Sequence, residues 1–354
     1  MDIRPFLVSP EVSVLKVVEI IDANRKGIAL VVNEENKLLG VVTDGDVRRA
    51  ILAGIDLKNP TTVLLERRSP FYSVPVVGHP NMSKTEKLLL MQTHKVRHLP
   101  IVEAKGIVLD LILLDDWLGN KMPRLTAVVM AGGMGQRLRP LTDEVPKPML
   151  PVNGKPMLEH VIEQLRKSGI HRVHVTTHYK PECIVSHFGD GDKYGVQIHY
   201  VHEAQPLGTA GGLQLLETPG EPLLVINGDI LTRIDFAALF DFHNEHQAVM
   251  TVAVREYSMK VPYGVIHLEG VSVRGIEEKP CVSNFVNAGI YIINPSAIRY
   301  IPQSGRRFDM TDLIAALLMD QQRVVGFPVH EYWLDIGMIE EYQRAKEDVD
   351  DGRF

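Results

Sequence analysis

The run "LTAVVM" (125–130) is nearly continuously apolar and ends directly in a glycine-rich segment, "AGGMG" (131–135). An apolar strand of this kind is buried on both faces, which happens in sheets covered by helices on both sides. Similar short runs recur at "RVHVTTH", "VQIHYVHE", "PLLVINGD" and "AVMTVAVRE", with helical patterns such as "MLEHVIEQLRKSG" between several of them. Strands alternating with helices predict an α/β fold built on a mostly parallel sheet. In such sheets ligands sit beyond the carboxyl ends of the strands, where these glycines lie.

About 125 residues precede that first buried strand, and a chain of 354 residues is long enough for two domains. The boundary is expected near Pro123, separating residues 1–122 from residues 124–354. Within the first part, two copies of helix, strand, turn, strand, helix are legible, at about 9–58 and 69–119. In the first copy Val14, Val17, Val18 and Ile21 follow helical spacing, and Ile28–Val32 and Leu38–Val42 read as strands.

Composition bounds the function. A net charge of -6 argues against a general nucleic-acid binder, since no basic surface is suggested. Cys183 and Cys281 lie far apart without metal-ligand spacing, which points to reduced thiols and a cytoplasmic protein. No stretch reaches the roughly 18 apolar residues of a membrane span, so no membrane partner is expected.

Glycines after a buried strand let backbone amides approach an anion closely. Here cationic side chains follow at Arg137, Arg139 and Lys147, enough to face a triphosphate. The segment is neither a P-loop, which ends in Gly-Lys-Ser/Thr, nor a dinucleotide fingerprint. In the first repeat, Thr43 and Asp46 of "GVVTDGD" stand at a helix start; they either cap that helix or hold a ribose and a phosphate.

Two resemblances follow from these residues. The repeats resemble a pair of CBS domains, modules that often bind adenine nucleotides, with Thr43 and Asp46 at the pattern's ligand positions. The second repeat has Leu113 where the pattern has a hydroxyl and keeps only Asp116, so the resemblance implies at most one nucleotide site. From residue 125 onward the chain resembles the sugar-1-phosphate nucleotidyltransferases. "GGMGQRLRPLTDEVPKPMLPV", "PLGTAGGL", "NGD", "YGVI", "EKP", "NAGIYII" and "WLDIG" occur in that family's order. This implies a Rossmann-like, GT-A-like domain that transfers a nucleotidyl group to a sugar 1-phosphate and releases pyrophosphate.

The resemblance implies roles for particular residues. Ala131, Gly132, Gly133 and Gly135 form the anion turn; Arg137 grips the departing pyrophosphate and Lys147 the transferred α-phosphate. Asp229 and Asp335, each closing an apolar run, are the expected ligands of Mg2+, which prefers hard oxygen donors. Lys279 holds the phosphate of the sugar substrate, and Tyr263, Gly264, Glu278, Asn287 and Gly289 form the sugar pocket. Glu203, with Gly208 and Thr209, faces the base. A carboxylate there suits the two donors on guanine, so GTP is favoured over UTP, CTP or dTTP. The fusion of a CBS pair to such a domain resembles guanylyltransferases of legionaminate-type pathways, which implies glucosamine 1-phosphate, with mannose 1-phosphate also in view. A homo-oligomer is expected. The alternative is a silent nucleotide sensor, against which the retention of Arg137, Lys147, Asp229, Lys279 and Asp335 counts.

Overall fold

Ser13 opens the first helix by accepting the Lys16 amide hydrogen, and Val14, Val17, Val18 and Ile21 then fall on one buried face. This helix, α1 (Val14–Asn24), belongs to a computed structural model that describes residues 2–67, 74–118, 125–217, 220–303 and 305–354. The expected linker at Pro123 and the start of the second repeat at 69 lie outside the described residues. By its internal contacts the chain divides into two units, Met1–Lys121 and Met122–Phe354.

In the first unit α1 leads into β1 (Ile28–Val32), β2 (Leu38–Thr43) and α2 (Asp44–Leu52). The same order recurs in α3 (Lys84–Thr93), β3 (His98–Val102), β4 (Val108–Leu113) and α4 (Leu114–Leu118). Each strand pair is antiparallel. All five residues of β1 are buried, and their alternation explains why. Ala29 and Val31 pack with α1 and α2, while Ile28, Leu30 and Val32 meet Val102, Val108, Leu111 and Leu113 of the second repeat. The turns are joined as well, through Leu38 N to Gly106 O (2.9 Å) and Val108 N to Asn36 O (3.1 Å). Neither repeat alone buries both faces of its strands.

The second unit begins with β5 (Thr126–Met130), α5 (Met157–Lys167), β6 (Arg172–Thr177), α6 (Pro181–Phe188), β7 (Gln197–His202), β8 (Leu223–Asn227) and β9 (Ile230–Thr232). It continues with α7 (Phe236–Glu245), β10 (Met250–Lys260), β11 (Val265–Glu269), β12 (Ser272–Glu277) and β13 (Cys281–Ile293). It closes with α8 (Met310–Met319), β14 (Val324–Pro328), β15 (Trp333–Asp335) and α9 (Ile339–Asp350). Seven strands form one sheet in the order β7, β6, β5, β8, β13, β10, β14. It is parallel except at β13, which runs against both β8 and β10. The sheet is therefore mixed and mostly parallel, as its alternating pattern predicts.

Both faces are covered. Ala127 and Val129 share a core with Leu158, Val161, Ile162 and Leu165 of α5, whereas Val128 packs with Leu313 and Leu317 of α8. Beyond the sheet, β10 and β13 continue as an exposed two-stranded ribbon, and β11 and β12 form a separate hairpin. Among the described residues no helix is long and apolar enough to cross a membrane.

Candidate active site

At the carboxyl end of β5 the chain is pinned between its neighbours. Ala131 donates to the Thr176 carbonyl (3.1 Å), and Gly228 donates to the Met130 carbonyl (2.8 Å). The amides of Gly132, Gly133 and Met134 then find no protein acceptor among the described residues. Gly135 is the sterically demanding glycine: its φ is 63°, and a Cβ there would stand 2.9 Å from both Lys147 Cβ and Thr142 Cγ2. Thr142 Oγ1 closes the turn by donating to the Gly135 carbonyl (2.9 Å). A Cβ on Gly133 would meet open space, and one on Gly132 would make only ordinary contact with His178 and Glu203.

Four separate segments converge beside this turn. Lys147, on the short 3-10 turn after Pro146, is buried and donates through Nζ to Asp229 Oδ2. Asp229 stands between β8 and β9. Because β9 pairs antiparallel with β15, Ile230 lies opposite Asp335, and Ile336 N donates to the Asp229 carbonyl (3.1 Å). Arg137 lies against the next loop, where a Cβ on Gly337 would come within 3.7 Å of its guanidinium.

The electrostatics follow from this crowding. Asp229 Oδ1 is buried without a hydrogen-bond partner among the described residues. Asp335 keeps part of its surface open to solvent. Burial first, and the Asp229 charge second, push its pKa up to about 6, against the pull of Lys147 and Arg137. Two mutually repelling carboxylates, one with an unsatisfied buried oxygen, are a donor set that fits a hard divalent cation.

Glu203 is buried where β7 ends. Its Oε2 accepts the Leu207 amide hydrogen (3.0 Å), and Oε1 lies close to Gly132 and Gly212. Burial raises its pKa. Gly208 adopts φ +84°. The Thr209 hydroxyl accepts from Met310 N (2.8 Å), and its amide donates to Asp309 Oδ1 (3.0 Å). Thr209 thus shapes the loop through protein contacts.

The residues expected around the sugar are less enclosed. Tyr263 is 74% exposed. Glu278 and Lys279 are exposed as well, with Lys279 Nζ 3.8 Å from Glu278 Oε1. Gly264 sits beneath Glu278, where a Cβ would stand 3.1 Å from Oε2. Asn287 donates to the Tyr291 hydroxyl (2.8 Å) and accepts from Gly289 N (2.9 Å). Gly289, at φ +70°, lets β13 pass Asn227, whose Nδ2 would stand 2.6 Å from an added Cβ. Asn227 escaped the sequence reading as a site residue although "NGD" contains it; its buried Oδ1 has no partner among the described residues.

In the first unit, Thr43 and Asp46 form a capping box on α2. Asp46 Oδ2 accepts from Thr43 N (2.9 Å) and Oγ1 (2.8 Å), and Oδ1 accepts from Arg49 (2.9 Å). Capping is thus realised in the structure.

Known proteins resemble this chain in sequence and fold. The family model described as nucleotidyl transferase matches residues 126–352, and that of the CBS domain matches residues 1–53. A mannose-1-phosphate guanylyltransferase of Mycobacterium tuberculosis is 35% identical over 234 residues, which is 64% of this chain and 65% of that protein. A mannose-1-phosphate guanyltransferase of Yarrowia lipolytica is 34% identical over 230 residues, 62% of each chain. The chain therefore spans just under two thirds of the length of these relatives. The crystal structure of HddC from Yersinia pseudotuberculosis complexed with GMP-PN superposes with a TM-score of 0.50 at 25% identity, over 64% of this chain and 99% of that one. With its N-terminal CBS domain, the chain belongs to the nucleotidyl transferase family.

Proposed function

We propose that the chain transfers a nucleotidyl group, from GTP in preference to other nucleoside triphosphates, to a sugar 1-phosphate. The carrying observation is the convergence of Arg137, Lys147, Asp229 and Asp335 beside an anion-ready turn at the carboxyl end of the sheet. An oxygen of the sugar phosphate attacks the α-phosphorus, and the bond from that phosphorus to the bridging oxygen breaks as pyrophosphate leaves. The nucleophile is already an anion near neutral pH. The protein must therefore neutralise charge and align the two reactants, and needs no general base.

Gly132, Gly133 and Gly135 with Ala131 present the turn to the triphosphate. Lys147 meets the α-phosphate, and Arg137 the leaving pyrophosphate. Asp229 and Asp335 would hold a divalent cation, read as Mg2+, which would supply charge neutralisation. Lys279 binds the incoming phosphate; Glu278 accepts from sugar hydroxyls, with Tyr263, Gly264, Asn287 and Gly289 around them. Glu203, Gly208 and Thr209 form the base side. The guanine reading is supported by relatives named for guanylyl transfer, and those names favour mannose 1-phosphate as the acceptor.

Residues 124–354 carry this chemistry, and residues 1–122 act as a regulatory CBS pair that takes an adenine or other nucleotide at Thr43 and Asp46. The molecule assembles as a homo-oligomer. Turnover with four nucleoside triphosphates against a panel of sugar 1-phosphates, read by pyrophosphate release, tests the assignment. Asp229→Asn is expected to lower kcat/KM by about 10³-fold; equal turnover in wild type and variant would end it.

A further inference from the structure

We propose that Asp309, at the start of α8, is a positioning residue that sets the conformation of the loop 203–211 and thereby the affinity for the nucleoside triphosphate. The proposal rests on the nucleotidyl-transfer reading above and names a residue outside the motifs that carry that reading.

The loop is clasped from one side by residues 305–310. Phe308 N donates to the Leu207 carbonyl (2.7 Å), and the Phe308 carbonyl accepts from Ala210 N (3.0 Å) and Gly211 N (2.9 Å). Gln205 Nε2 donates to the Gly305 carbonyl (2.6 Å). At the centre, Asp309 Oδ1 accepts from Thr209 N (3.0 Å), while Thr209 Oγ1 accepts from Met310 N (2.8 Å). The two segments thereby satisfy backbone groups of each other that a surface loop would otherwise leave to water.

Space is as restricted as hydrogen bonding. At Gly208, with φ +84°, a Cβ would stand 2.6 Å from Asp309 Oδ1 and 2.8 Å from the Phe308 carbonyl oxygen. On the other side the buried Glu203 carboxylate holds Leu207 N. The loop is thus fixed between an inner carboxylate beside the glycine turn and an outer one on α8. None of these hydrogen bonds involves Arg137, Lys147, Asp229 or Asp335. Loosening the outer anchor should therefore weaken nucleotide binding and leave the reacting groups in place.

Asp309 also caps α8, reciprocally with Asp312, whose carboxylate accepts from Asp309 N (2.8 Å). The test separates the two roles. Asp309→Ala is expected to raise the KM for GTP, and its Kd by calorimetry, about tenfold, with kcat within about twofold and the sugar-phosphate KM unchanged. Asp309→Asn, which keeps an acceptor for Thr209 N, should restore binding. Asp312→Ala, which breaks the capping box but spares the Thr209 contact, should bind GTP like wild type. Wild-type affinity in Asp309→Ala, or equal weakening in Asp312→Ala, would overturn the proposal. If Asp309→Ala does not fold, Gln205→Ala on the exposed rim should weaken GTP binding about threefold, and unchanged binding there overturns it too. A wild-type protein that binds no nucleoside triphosphate refutes the functional reading itself; binding by wild type and Asp309→Ala alike removes only the clasp.

Discussion

The two sides of the proposed site are built differently. On the phosphate side, Lys147 is buried against Asp229, the β9–β15 pair places Asp335 alongside, and Gly135 lets the whole turn close on Lys147. On the side proposed for the sugar, Tyr263, Glu278 and Lys279 project from a ribbon and hairpin that are exposed along most of their length. Charges that must stabilise a transition state are effective when fixed beforehand, because reorientation during reaction costs free energy. A two-stranded hairpin is marginally ordered by itself and suits a surface that adapts to a ligand. On the proposed reading, this difference assigns rate to the sheet-anchored half and acceptor affinity to the ribbon.

Three substitutions can break or sharpen that contrast. Lys147→Met removes a fixed charge, and kcat is expected to fall by about 10²-fold with little change in the KM for the sugar phosphate. A change confined to KM would place Lys147 on the wrong side of the comparison. Lys279→Ala should act in the opposite way, raising the KM for the sugar phosphate about tenfold and sparing most of kcat. If single-turnover rates at saturating substrate drop as far as in Lys147→Met, the two sides do not divide as argued.

The smallest effect is on stability. Burial and the neighbouring Asp229 charge push the Asp335 carboxyl up to about 6, from the ordinary 3.8 of an aspartate. Between these values the folded chain holds the extra proton, so the metal-free protein loses stability as pH rises from 3.8 to about 6, and the deficit is complete above that. Asp335→Asn should therefore stabilise the metal-free protein at neutral pH, by roughly 0.5–2 kcal/mol given its partial exposure, while abolishing turnover. Thermal melts at pH 5 and pH 7.5 (about one unit below and well above the shifted value) check the sign; a variant that melts no higher than wild type at neutral pH would show that Asp229 and Asp335 do not strain each other.

Much of the second unit was legible because local pattern and burial agree. The apolar runs at 126–130, 172–177 and 223–227 are strands, and "MLEHVIEQLRK" is the helix its periodicity predicts. The reversal of β13 was not legible. "NAGIYII" is as apolar as its parallel neighbours, and direction depends on the path of the chain rather than on side chains. The site divides in the same way. Asp229 and Asp335 could be named through the motifs "NGD" and "WLDIG", but the protein contacts made by Thr209, or by Asn287 with Tyr291, could not be read from the sequence. Those depend on partners a hundred residues distant, or on a local turn whose geometry the letters do not display. Asp309 illustrates the limit: its contact with Thr209 N spans a hundred residues of sequence and is visible only in the fold.

β13 is one uninterrupted strand of 13 residues whose last six are buried in the sheet, while its first five are exposed in the ribbon. Its amides should accordingly exchange with solvent deuterium along a gradient. Those of Ile290, Ile292 and Ile293 would open only when the domain unfolds, and those near Val282 and Asn284 through local fraying. A bound sugar phosphate would then be registered as slowed exchange at the outer end, carried by the same backbone that anchors the inner one.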